Sequence, residues 1–101
     1  MINIIIYQED NLLKKVSIKG HSNYAPKGED IVCAGVSAIG VGTVNAIYEI
    51  TKQKPEFHSE DGNLELEFPS GGDAQIIAKT MLIQLKSIEE SYPKYVKIQF
   101  K

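Results

Sequence analysis

The hydrophobic period along this chain alternates, twice, between two residues and about 3.6 residues. Ile2, Ile4 and Ile6 alternate with Asn3, Ile5 and Tyr7, which makes Met1–Tyr7 a strand. The polar run Gln8–Asn11 reads as a turn. Leu12–Gly20 resumes the alternation through Val16 and Ile18, closing a hairpin. His21–Glu29 has no apolar period, contains Pro26 and Gly28, and reads as a loop. Asp30 is an N-cap residue type, and Ile31–Thr51 follows as a helix about 30 Å long. Pro55–Ser59 and Asn63–Phe68 form a second hairpin around Asp61-Gly62, a pair suited to the positive φ angles of a tight turn. After the break Pro69–Gly72, Asp73 is placed to start a second helix, Asp73–Tyr92. Its face Ala74, Ile77, Ala78, Met81, Leu85, Ile88 and Tyr92 is apolar, while Lys79, Lys86 and Glu90 lie away from it. Pro93 stops the helix, and Tyr95–Lys101 is a final strand.

The order ββαββαβ predicts an α+β fold, a two-layer α/β sandwich of a five-stranded sheet and two helices. At 101 residues it is expected as a single domain, 1–101. The first helix is unusual. Ala34, Ala38, Gly42 and Ala46 recur every four residues and form a ridge of small side chains. Such a ridge suits close packing against the sheet or the second helix. It equally suits a bound peptide or a dimer partner near the helix start.

Charge and cysteine content exclude several functions. The net charge is -2, and all eleven basic residues are lysines. Without arginine, the usual bidentate reader of phosphate and guanine, direct nucleic-acid recognition is not expected. Lys14, Lys15 and Lys19 read as a solvated strand face. One cysteine allows no internal disulfide. No signal peptide and no membrane-spanning stretch is expected, which points to a reduced, cytoplasmic protein.

With Asp30 as cap, Cys33 falls in the first turn of the helix, among free N–H groups at the positive end of the dipole. Such surroundings favour a thiolate, the nucleophilic form. His21 ends the preceding strand and is separated from the helix by the loop Ser22–Glu29. An imidazole there is placed to pair with the sulfur and to protonate a leaving amine. Read singly, each residue has a plainer role. A lone cysteine is often a buried apolar residue, and a lone histidine is often structural. Asp30 serves as a cap or as a third member of the site. Ser37, one turn after Cys33, bonds to the site or back to its own helix. His58 sits by the second hairpin turn and is expected to be exposed. These two histidines and one cysteine make no zinc site, and Cys–His chemistry needs no metal or cofactor.

The run Gly20-His21, Gly28, Asp30-Ile31-Val32-Cys33-Ala34 and Ser37 resembles the signature of the ribosomal-processing cysteine protease family, Prp. Chain length, element order and Asp73-Ala74-Gln75 at the second helix agree with it. The resemblance implies a homodimeric cysteine endopeptidase. Its partner would be the N-terminal peptide of a large-subunit ribosomal protein precursor, cut after an aromatic residue. It implies His21 and Cys33 as the catalytic pair, with Asp30 and Ser37 auxiliary. The loop Ser22, Asn23, Tyr24, Ala25, Pro26, Lys27, Gly28 and Glu29 would then close over substrate, and helix-start amides, that of Cys33 included, would receive the oxyanion. Two rival readings differ in class: a non-catalytic ribosome- or RNA-associated module, and a thiol redox sensor needing a second thiol from another chain.

Overall fold

The computed structural model describes residues Met1–Lys101. The elements are β1 (Ile2–Glu9), β2 (Leu12–Lys19), α1 (Ile31–Thr51), β3 (Glu56–Glu60), β4 (Asn63–Glu67), α2 (Gly72–Ser91) and β5 (Val96–Phe100). The α+β architecture and the ββαββαβ order are as the sequence predicts. The strands run β3-β4-β2-β1-β5 in a mixed sheet. β5 pairs parallel with β1, and the other pairings are antiparallel. Ile2, Ile4, Ile6, Val16, Ile18, Leu64, Leu66 and Val96 from the sheet are buried with Val32, Val36 and Ile47 of α1 and Ala78, Met81 and Leu85 of α2. Burying these side chains drives the two layers together.

Local chemistry moves several element ends from their predicted places. The first turn is only Asp10-Asn11, at φ 52° and 65°, so Gln8 and Glu9 remain in β1. Asp and Asn tolerate this left-handed backbone better than most residues. In the β1–β2 register Tyr7 faces Lys15 and Gln8 faces Leu13, which leaves Lys14 as an unpaired bulge residue. The bulge returns Leu13 to the buried side. Gln75 of α2 fastens it there: the Leu13 N–H donates to Oε1 at 2.8 Å, and Nε2 donates to the Leu13 carbonyl at 2.9 Å. α2 starts one residue earlier than predicted. Gly71 is its N-cap, and Asp73 lies inside the first turn, where it meets the helix dipole.

The small-residue ridge of α1 does not pack inside the chain. Ala34, Ala38 and Gly42 are exposed, and a Cβ on Gly42 would meet nothing within 4 Å. Close packing falls on other glycines. A Cβ on Gly35 would stand 3.3 Å from Ile88, and one on Gly40 would stand 3.0 Å from Leu64. α1 is also apolar on both faces, which corrects the expectation that no stretch is long enough to cross a bilayer. With 21 residues and a mean hydropathy of 1.7 it passes that test by length and composition. In this fold Val32, Val36, Gly40, Thr43 and Ile47 are buried, while Ile31, Val41, Tyr48 and Ile50 face outward.

Candidate active site

The site forms where the β2 end, the start of α1 and the β3–β4 turn converge. Asp30 organises the helix end. Its Oδ1 accepts from the amides of Val32 at 3.0 Å and Cys33 at 2.9 Å, so it is the N-cap that the sequence suggests. Its Oδ2 accepts from the Ser22 hydroxyl and from the Tyr24 amide at 3.1 Å. One carboxylate therefore holds both the helix start and the first residues of the loop. Burial pushes its carboxyl upward, but the Ser22 hydroxyl and the amides of Cys33, Ala25 and Tyr24 outweigh that and hold it at about 2. Asp30 is ionised at neutral pH.

Cys33 is half-buried in the first turn. Its Sγ lies 3.4 Å from both the amide nitrogen and the hydroxyl oxygen of Ser22. The Cys33 amide, expected to face a reacting carbonyl, is instead engaged by Asp30. His21 stands on the other wall. It is exposed, and its Nε2 edge rests against the second hairpin turn, where a Cβ on Gly62 would come within 2.7 Å of Nε2. Gly62 sits at φ 76°, and its carbonyl accepts from the Gly20 amide at 2.8 Å, which ties this turn to the end of β2. No hydrogen bond joins His21 to Cys33 or to Asp30; the polar partners of Sγ are both in Ser22.

His21 and Cys33 nevertheless line one open cavity of about 720 Å³. Asp30, Ser37 and Val41 contribute from the helix side, and Ser59–Leu64 from the second hairpin. Of the loop, Asn23, Ala25, Lys27, Gly28 and Glu29 line the cavity. Ser22 turns inward and is buried, and Tyr24 turns toward the segment that follows α2. The Tyr24 ring packs edge-on against Tyr92 and Tyr95, with centroids 5.6 and 5.2 Å away. The loop is therefore fastened at its first half and open at its second. Ser37 is exposed, and unlike Thr43 and Thr51 it makes no bond back to its own helix. His58 is exposed on β3 beside Glu60, outside the cavity.

The sequence model of the family described as cysteine protease Prp matches residues 1–97.

The chain belongs to the Prp family of cysteine proteases.

It is 34% identical over 101 residues to the ribosomal processing cysteine protease Prp of Staphylococcus aureus, covering 96% of this chain and 95% of that one. It is 33% identical over 91 residues to the Bacillus subtilis protein of the same description, covering 82% and 81%. A crystal structure of the S. aureus protease in complex with a covalently linked product peptide superposes with a TM-score of 0.94 at 36% identity over all of both chains. A second, in complex with a substrate peptide, gives 0.86 at 34%, again over all of both chains. The Prp fold is thus the fold of this chain, and cysteine proteolysis in ribosomal protein processing is its class of activity. Two site features escaped the sequence reading. Gly62 was visible as a turn residue, but not as the surface on which His21 lies. Ser22 was visible as a loop residue, but not as the polar neighbour of the sulfur.

Proposed function

We propose that the chain removes the N-terminal extension of a large-subunit ribosomal protein, with Cys33 as nucleophile and His21 as its acid–base partner. The observation that carries this reading is that both residues line one peptide-sized cavity in a chain of the Prp family. The S. aureus structures with substrate and product peptides support a peptide as the occupant. Sγ attacks the scissile carbonyl, and His21 takes the thiol proton and delivers it to the departing amine. Water then releases the acyl-enzyme, with His21 as base. Asp30 supports the site by capping α1 and ordering the loop, and Ser37 lines the cavity one turn after Cys33. Asn23, Ala25, Lys27, Gly28 and Glu29 form the part of the loop that meets substrate.

The working form we infer is a homodimer in the cytoplasm. The outward face of α1 supports the dimer. Ile31, Val41, Tyr48 and Ile50 are 42–64% exposed, and no charge lies between Ile31 and Tyr48. Sedimentation of the intact chain tests it, and a monomer at micromolar concentration refutes it. The protease reading is tested with a peptide spanning an extended ribosomal-protein N-terminus, cut by the intact chain and by Cys33→Ala and His21→Ala. Loss of cleavage in both is the expected result. Cleavage that survives Cys33→Ala sinks the assignment.

A further inference from the structure

We propose that Ser22 is a positioning residue that holds the proton of the Cys33 thiol until peptide arrives. This rests on the reading of Cys33 as nucleophile and concerns the enzyme before substrate binds.

The argument is one of donors and acceptors. An ionised Asp30 carboxylate only accepts hydrogen bonds. The single hydroxyl hydrogen of Ser22 is therefore used on Oδ2 of Asp30. The Ser22 oxygen is left with lone pairs. It accepts from the Tyr24 amide at 3.3 Å, and it faces Cys33 Sγ at 3.4 Å. A thiolate in that place would keep the Ser22 amide as donor but meet the lone pairs of the Ser22 oxygen. A thiol meets them favourably, because S–H donates. The bonds run from S–H to the Ser22 oxygen, and from its hydroxyl to Asp30. Ser22 is 2% exposed, so solvent does not supply either partner.

Activation then follows a fixed order. The thiol proton leaves to His21, and the S–H···O bond is lost. The Ser22 hydroxyl stays on the ionised Asp30 carboxylate, and the Ser22 amide, which already points at the sulfur from 3.4 Å, remains as its donor. The hydroxyl oxygen thus opposes the thiolate, and the amide alone supports it. Other charged groups of the cavity, Lys27, Glu29, Glu60 and Asp61, line the wall but make no hydrogen bond to the sulfur. A serine that merely fastened the loop would change how readily a reagent reaches the half-buried sulfur but not the pH dependence of its reaction, which separates the two roles.

The test is alkylation of the intact chain by iodoacetamide across pH, followed by mass. The chain has one cysteine, so each thiol adduct reports Cys33. Ser22→Ala is expected to react about threefold to tenfold faster at neutral pH without peptide, the size of one ordinary hydrogen bond. Its rate profile should move to lower pH. An unchanged or slower rate overturns the proposal. Should Ser22→Ala fail to fold, the S–H stretching band of the unaltered protein decides. A band at lower wavenumber than in the urea-unfolded chain supports the proposal. An unshifted band, or no band at neutral pH, overturns it. Peptide cleavage by Cys33→Ala is measured alongside. If cleavage survives there, the nucleophile reading fails by itself, while the alkylation result still judges Ser22.

Discussion

The imidazole of His21 lies on the bare backbone of Gly62, so close that a Cβ there would stand 2.7 Å from Nε2. The two residues are far apart in the chain: His21 follows β2, and Gly62 lies in the β3–β4 turn. Gly62→Ala should push the ring from its place and strain a backbone at φ 76°. Peptide cleavage, measured as kcat/KM, is expected to fall about 10- to 100-fold, since a displacement near 1 Å at a reacting group costs about that much. Unchanged cleavage by a folded Gly62→Ala chain would show that His21 does not depend on this contact.

Asp30 gives the fold a defined acid sensitivity. Its folded carboxyl is held at about 2, below the ordinary value of 3.8. A depressed carboxyl contributes stability that is full above the unfolded value and is lost as pH falls toward the folded one. The stability gap between the intact chain and Asp30→Ala should therefore be constant above about pH 5 and shrink between about pH 4 and pH 2. Urea unfolding followed by circular dichroism at each pH measures it. A gap that stays constant down to pH 2 would remove the electrostatic account of the cap.

Gln75 is the polar pin of the core. It is 5% exposed and bonds both the N–H and the carbonyl of Leu13, and also the Pro69 carbonyl at 2.9 Å. Gln75→Leu keeps the volume but strands these groups. Each buried group left unpaired costs about 1–3 kcal/mol, so chemical denaturation should show a loss of at least about 2 kcal/mol. Cleavage per folded molecule should be unchanged, because Gln75 does not line the cavity.

The two helix glycines should respond differently to a methyl group. Gly42 faces open space, and Gly42→Ala should stabilise the chain by about 0.8–1 kcal/mol through helix propensity. Gly40→Ala puts a Cβ 3.0 Å from Leu64, so its gain should be smaller or reversed. Thermal unfolding of both variants makes the comparison. Destabilisation by Gly42→Ala would mean that this surface is covered in solution.

Tyr24 anchors the loop to Tyr92 and Tyr95. Aromatic pairs of this kind contribute about 0.5–1.5 kcal/mol each. Tyr24→Ala should speed amide hydrogen exchange across residues 22–29 and raise KM more than it lowers kcat. Exchange as slow as in the intact chain would assign the loop's order to Asp30 alone.

Much of this molecule follows from local chemistry, and local chemistry is legible in a sequence. The alternation of Leu64, Leu66 and Phe68 with glutamates writes a strand with one buried face. Asp30 before an apolar run writes a capped helix start, and it places Cys33 in the first turn. The run from Gly20 to Ser37 also carried the family resemblance that the full-length relatives bear out. Tertiary structure decided what contacts at long range decide. The ridge of Ala34, Ala38 and Gly42 faces outward because Gly35 and Gly40, not Gly42, meet α2 and the sheet. The start of α2 moved to Gly72 because the extended Gly71 backbone, not an aspartate side chain, ends the preceding segment. Ser22 reached the sulfur and Gly62 reached the imidazole only because the end of β2, the start of α1 and the β3–β4 turn converge on one cavity. A residue's own propensities do not encode such neighbours; the packing of two layers does.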